Sequence, residues 1–219
     1  MKKPTVISTG FNAPTKARCL ESVASQWGGP YEHRYIEASE QKPPRDVITN
    51  LSAAVADLSP WDVVVWLDGD DHLARPGALQ TVEWMHQTGA WLTYGSFAFS
   101  DGRPGFAAEY TEAERAAGVR AAPWKATHAK SFRAGLVQRL RAEDLSWPEG
   151  AAVCWDMLVM FAAIEMAGWT RTLFCPTVLA IYNLESSHEF RHGAAGRAEQ
   201  VRWEAVIRAR APYERLEAL

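Results

Sequence analysis

The chain has 219 residues, 47% hydrophobic and 22% charged, which fits one ordinary globular domain and excludes collagen-like and wholly disordered classes. A formal net charge of −3 gives no global attraction to polyanions, and no run approaches the roughly 18 apolar residues that a membrane-spanning helix needs. Cys19, Cys154 and Cys175 are odd in number, widely spaced and without a Cys-x-x-Cys pair, as expected of reduced thiols in a cytoplasmic protein. The opening Met1-Lys2-Lys3-Pro4 leads into too short an apolar stretch for a signal-peptide core.

Residues 5–9 read as a short strand opening into Gly10-Phe11-Asn12. Residues 15–26 carry Ala17, Leu20, Val23 and Ala24 on one helical stripe, and 31–38 alternate like a second strand. Pro43-Pro44 punctuates a loop; Val47, Leu51, Ala54, Val55 and Leu58 then recur at helical spacing until Pro60 stops them. Residues 62–67 make a third strand. Pro76 stands where a first helical turn tolerates it, before a helix over 78–88 closed by Gly89. This alternation predicts a right-handed, mostly parallel α/β sheet, half of a nucleotide-binding fold. Past residue 90 the order loosens. A strand is expected over 91–99, a loop over 100–105, helices over 131–140 and 155–167, one or two strands over 172–182 interrupted at Pro176, and a charged helix over 197–210. No internal repeat or domain boundary stands out.

The most informative stretch is Trp66-Leu67-Asp68-Gly69-Asp70-Asp71-His72, directly after Val63-Val64-Val65. A buried strand ends in three carboxylates within four positions, and Gly69 permits a sharp turn. Carboxylates this close repel one another unless a cation lies between them, which points to a divalent metal with oxygen ligands. The carboxyl end of a strand is also where open α/β sheets bind ligands. The plainer reading is a solvated acidic turn. An EF-hand loop starting at Asp68 fails, because Leu73 and Leu79 stand where Gly and Glu are required. A haloacid-dehalogenase-like phosphatase fits poorly, since His72 fills the place of its Thr or Val, but it stays the nearest enzyme rival.

The chain resembles family-2 glycosyltransferases of the GT-A fold. The resemblance is carried by Val6-Ile7-Ser8-Thr9-Gly10-Phe11-Asn12 with Cys19 to Gln26, by Asn50 to Ala54, and by Leu67 to Leu73. It continues in order through Thr93-Tyr94-Gly95, Thr127-His128 with Phe132-Arg133, Trp155-Asp156 and Tyr182-Asn183. The second strand departs from the family, reading Ile36-Glu37-Ala38-Ser39 where an acidic pair usually stands. The resemblance implies one GT-A domain over 1–219: a Rossmann-like, mostly parallel central sheet flanked by helices, with 1–100 as nucleotide-sugar half and 101–219 as acceptor half.

It further implies an inverting transfer from a nucleotide-sugar, a UDP-sugar by the family's habit, assisted by Mn²⁺ or Mg²⁺ as Lewis acid. Asp70 is the implied direct metal ligand, Asp71 a second, and His188 a candidate third; a surface histidine is the plainer reading of His188. Asp68 would reach the ribose, and Thr9, Phe11 and Asn12 would hold the nucleotide with Glu37 or Ser39 at the base or ribose and Asn50 nearby. Asp156 would be the general base, with Glu149 as alternative, although Asp is also favoured in any first helical turn. Lys125, His128, Lys130 and Arg133 form a basic cluster that either clamps the diphosphate or makes a solvated cationic face. Trp66, Trp84, Trp91, Trp124, Trp147 and Trp155 are expected in core and pocket-edge positions, one of the last three stacking on an acceptor.

The acceptor is left open between a glycan and a hydroxymethylated base in DNA, as in phage-encoded relatives. The second follows from the stretch between Arg103 and Arg141, where eight Lys/Arg meet three Glu. A catalytically idle nucleotide-sugar-binding protein on the same fold is the alternative from another class.

Overall fold

The computed structural model describes residues 2–10, 15–37, 43–145, 153–186 and 188–219, with the side chains of 43–46 and 186–191 left aside. Seven strands form one sheet: β1 (Thr5–Gly10), β2 (Glu32–Glu37), β3 (Val63–Trp66), β4 (His72–Leu73), β5 (Leu92–Phe99), β6 (Lys130–Arg133) and β7 (Thr172–Tyr182). Their order is β2-β1-β3-β6-β5-β7-β4, with β6 and β4 antiparallel to their neighbours and the other five strands running one way. The sheet is therefore mixed but mostly parallel. Helices α1 (Lys16–Ala24) and α2 (Pro43–Val55) make the two parallel crossovers β1–β2 and β2–β3.

Strand β3 is buried along its whole length, as expected of a strand covered on both faces. Its side chains alternate between two cores. Val64 and Trp66 pack with α2 and α7 (Trp155–Ala167), whereas Val63 and Val65 pack with α1 and α3 (Ala78–Gln87). Helix α7 is apolar all round and almost wholly buried, so it serves as the centre of the larger core rather than as a surface helix. Its Glu165 is held by Arg120 through Nε at 2.6 Å and Nη2 at 2.9 Å.

Several elements differ from the expectations. Pro43 and Pro44 begin α2 instead of breaking a loop, since a first turn loses nothing by a missing N–H. The helix expected over 131–140 splits into β6 and the short α5 (Ala134–Val137). Strand β6 lies between β3 and β5 with Lys130, Ser131 and Arg133 all buried, and those polar side chains conceal the strand's apolar character. Two short helices were not anticipated, α4 (Glu112–Ala117) and α6 (Ala142–Leu145). The interruption in β7 is real: Cys175 pairs with Gly95 but Val178 with Ser96, so Pro176 and Thr177 bulge out of the ladder. The last helix, α8 (His188–Ala209), is broken at Gly193.

After α8 the chain runs back over α7. Tyr213 N–H donates to Glu165 Oε2 at 2.9 Å, and Leu216 N–H to the Met166 carbonyl at 2.9 Å. Arg171 Nη1 donates to the Leu216 carbonyl at 2.9 Å, and the Tyr213 hydroxyl bonds to the buried Asp144. Among the described residues no helix is long and apolar enough to cross a membrane.

Candidate functional site

The carboxyl ends of β1 and β3 lie side by side, with the crossovers from β1 and β3 leaving in opposite directions, the place where such sheets bind ligands. There Leu67 N–H donates to the Ile7 carbonyl at 3.0 Å and Gly69 N–H to the Thr9 carbonyl at 2.9 Å. A Cβ on Gly69 would fall 2.8 Å from both Gly10 Cα and Thr9 O. Gly69 is thus required by backbone-to-backbone approach and not by a left-handed turn, because its φ is not positive. Tyr35 closes the same spot by donating its hydroxyl to the Gly69 carbonyl at 3.2 Å.

Asp68 is 30% exposed at the side chain, Asp70 half-buried and Asp71 only 1% exposed. Asp68 Oδ2 meets His128 Nε2 at 2.9 Å and Lys130 Nζ at 2.9 Å. Lys130 is fully buried and lies 4.4 Å from the centroid of the Trp66 ring. Asp71 Oδ1 accepts the Asn183 backbone N–H at 2.8 Å, but its buried Oδ2 accepts no hydrogen bond among the described residues, although His128 Nε2 lies 3.3 Å away. Thr127 Oγ1 holds the other imidazole nitrogen, His128 Nδ1, at 2.7 Å, and Phe97 and Tyr182 pack on the ring.

The pKa values of the two acids are driven apart. Burial pushes the Asp68 carboxyl up, but the Lys130 ammonium and the His128 ring outweigh it and hold it well below the usual carboxylate range. Burial raises Asp71 far above that range, and the charges of Asp70 and Asp68 add to the rise. Burial also works against the Lys130 charge, yet Asp68, Asp156 and Asp71 keep its pKa above the ordinary value. Beneath the turn, burial lifts the Cys19 thiol to about 11, so it is an inert core group.

Asp68, Asp71 and His128 each offer a ligating atom within 4.8 Å of the others, a group that could hold a metal. Two carboxylates and an imidazole suit Mn²⁺ well and Mg²⁺ less well, and Asp71 Oδ2, which accepts no hydrogen bond among the described residues, is the atom a cation would satisfy. The donor set fits. His128 enters this group in place of the expected diphosphate clamp, and Lys130 joins it. No local periodicity signals the pairing, since His128 lies in the bend that leads into β6 and Lys130 is that strand's first residue.

The rest of the basic cluster disperses. Lys125 pairs with Glu114 at 2.7 Å, and Arg133 ties the Trp61 carbonyl at 2.7 Å to the His86 carbonyl at 3.0 Å. With Lys130 and Arg133 buried, the stretch is not a solvated cationic face. Thr9 is buried at the end of β1 and Glu37 ends β2 opposite Gly10, ion-paired with Lys16; Asn50 lies half-buried on α2. Asp156 sits in the first turn of α7, its Oδ1 accepting the Met157 N–H at 2.9 Å, and its charge acts on both Lys130 and Tyr182. Phe11, Asn12, Ser39, Glu149 and Trp147 lie outside the described residues, as does the side chain of His188. Trp66, Trp91 and Trp155 are buried, Trp124 is partly buried against the larger core, and Trp84 is 64% exposed.

No protein-family model matches the sequence, and no curated protein matches it. Solved structures do. S. aureus TarS 1-349 in complex with UDP-GlcNAc superposes with a TM-score of 0.63 at 14% identity, over 97% of this chain and 68% of that one. The same fragment in complex with UDP gives a TM-score of 0.60 at 15% identity, over 97% of this chain and 67% of that one. S. aureus TarS gives 0.59 at 13% identity over 94% of this chain, which spans only 39% of TarS. At such identities the likeness is one of fold, and that fold is the GT-A fold of glycosyltransferases.

Proposed function

We propose that the chain is a metal-dependent, inverting glycosyltransferase that moves a sugar from a UDP-sugar to a hydroxyl acceptor. The observation that carries this reading is the buried Asp71 Oδ2, which accepts no hydrogen bond among the described residues, beside Asp68 and His128, at the ligand-binding end of a sheet whose likeness in TarS holds UDP-GlcNAc. Mn²⁺ or Mg²⁺ held by Asp71 and His128, with Asp70 alongside, would stabilise negative charge on the departing diphosphate. Asp68, kept ionised by Lys130, accepts a hydrogen bond from a ribose hydroxyl. The Lys130 ammonium adds fixed positive charge in a water-poor setting, where it acts most strongly.

Thr9, with Phe11 and Asn12 next in sequence, is assigned to holding the nucleotide, Glu37 or Ser39 to the base or ribose, and Asn50 to the donor as well. In the transfer, the acceptor oxygen bonds to the anomeric carbon as the bond from that carbon to the phosphate oxygen breaks. The electron pair leaves on UDP, and the Asp156 carboxylate takes the acceptor's proton.

The test is calorimetric titration of UDP with MnCl₂ into the wild type and into Asp71→Asn, followed by an assay for UDP released from UDP-GlcNAc. Metal-dependent heat in the wild type alone, with slow release of UDP, is expected. Absence of heat in the wild type overturns the reading, and binding with no release under any acceptor marks an idle nucleotide-sugar binder.

A further inference from the structure

Two residues past Asp71, the chain enters a groove that the acidic turn does not use. Arg18, Glu21 and Ser22 of α1 face Leu73 and Arg75 across a trough of about 250 Å³. At Arg75 and Pro76 this opens into a larger cleft of about 440 Å³, bounded by Trp27 and Trp84. Both tryptophans are 64% exposed. Large apolar rings standing open together mark a binding surface more often than chance exposure does.

The groove is built rigidly. Trp27 N–H donates to the Pro76 carbonyl at 2.8 Å, and the ring lies against Gly77, where a Cβ would come within 3.5 Å of it. The floor is Gln26, 6% exposed, whose amide donates to the Ser22 carbonyl at 3.0 Å and the Arg75 carbonyl at 2.8 Å, and accepts Leu79 N–H at 3.0 Å. Arg75 Nη2 donates to Thr81 Oγ1 at 3.1 Å. Gly77, Gln80, Thr81 and Trp84 recur at helical spacing, so one face of α3 carries both hydrogen-bonding groups and the second ring.

We propose that this groove binds a neutral oligosaccharide chain. A sugar ring presents an apolar C–H face and a rim of hydroxyls. The tryptophan faces match the first, and the Arg75, Gln80 and Thr81 side chains match the second. Charge argues against a polyanion: Arg18 and Arg75 stand with Glu21, a net charge of one, whereas a nucleic-acid groove tracks the backbone with a row of cations. Shape decides against a second copy, since a stable dimer needs about 800 Å² per partner with a mainly apolar centre, and a polar-rimmed trough does not complement itself. The oligosaccharide is the acceptor if the transferase reading holds; its binding here does not depend on that reading.

The test titrates the full chain, free of metal and donor, with cellohexaose, maltohexaose, chitohexaose and oligodeoxythymidylate, by calorimetry and saturation-transfer NMR. At least one hexasaccharide is expected to bind. Trp84→Ala, at an exposed helix position where Ala preserves the fold, should weaken that binding about tenfold or more, as should Trp27→Ala. UDP binding with Mn²⁺ should be unchanged in Trp84→Ala. The proposal fails if no hexasaccharide binds at millimolar concentration, if Trp84→Ala binds as well as the wild type, or if the oligonucleotide binds more tightly than every sugar. It fails also if the wild type sediments as a dimer that Trp84→Ala dissociates. If the wild type binds UDP with Mn²⁺ but no hexasaccharide, the groove proposal alone fails; if it binds a hexasaccharide but not UDP, the transferase reading alone fails.

Discussion

Replacing Asp71 by Asn should make the metal-free protein more stable while destroying its response to metal. Asn keeps the acceptor for the Asn183 N–H and removes a buried charge. The Asp68 and Asp71 ligating atoms lie within 4.8 Å, so at an effective dielectric constant of about 20 their repulsion is about 3 kcal/mol. Lys130 and His128 compensate part of it, leaving a gain of about 1–3 kcal/mol, or a Tm rise of roughly 2–12 °C for a chain of this size. The pH dependence has a definite sign. Asp71 has a folded pKa raised above its unfolded value, so its contribution is fully present below the unfolded pKa near 3.8 and is lost as pH rises through the folded one. The wild type in chelator should therefore lose stability relative to Asp71→Asn with rising pH. Manganese at about 100 times its Kd should return about 2.7 kcal/mol to the wild type and nothing to the variant. Thermal unfolding in EDTA and over a manganese series measures both effects. A variant less stable than the wild type in EDTA, and still shifted by manganese, refutes the reasoning.

Lys130→Met leaves Asp68 without its ammonium partner and should lower stability by about 2–4 kcal/mol in urea unfolding, less than for a wholly buried pair because Asp68 is 30% exposed; a loss below about 1 kcal/mol contradicts the ion pair's role. Gly69→Ala drives a Cβ into Gly10 Cα and Thr9 O, and should cost about 1–3 kcal/mol together with nucleotide binding in the same calorimetric assay. His86 is buried between the Ala90 carbonyl and Ser131 Oγ, and burial, with Arg133 nearby, lowers its pKa to about 4. Its contribution is complete above pH 6.5 and is lost as pH falls toward 4, about 3 kcal/mol in all, so His86→Gln should flatten that part of a stability–pH curve; an NMR titration placing His86 near 6.5 contradicts this. Asp156→Asn should abolish sugar transfer and leave UDP affinity within about twofold, and equal activity moves the base elsewhere.

The nucleotide half was legible because the apolar runs of β1 and β3 are clean; α1 stands where expected, but it buries Cys19 and Val23, while Ala17, Leu20 and Ala24 of the expected stripe are exposed. The acidic turn was legible as a turn, but the physical need for Gly69 was not, since it comes from β1 backbone far away in sequence. Strand β6 hid behind Lys130 and Arg133. Charged residues suggest a surface, and only the pairing of Lys130 with Asp68 makes a fully buried ammonium tolerable. The same blindness left His128 in a basic cluster read as a diphosphate clamp or a solvated face, and not beside two acids. Its partners Asp68 and Asp71 are 60 and 57 residues away, by subtraction of their numbers, and come together only through the β3–β6 ladder.

The stretch that returns over α7 after the last helix has a consequence for synthesis. Glu165, Met166 and Asp144 find partners in Tyr213 and Leu216, near the end of the sequence described here. While residues 210–219 are still unmade, the larger core lacks Tyr213, Leu216 and Leu219, and Glu165 and Asp144 have Arg120 and Arg141 as donors but not Tyr213. The sheet edge formed by β2, β1 and β3 has every local contact it needs much earlier. The emerging chain thus assembles in two instalments, with the half that carries α7 fastened last.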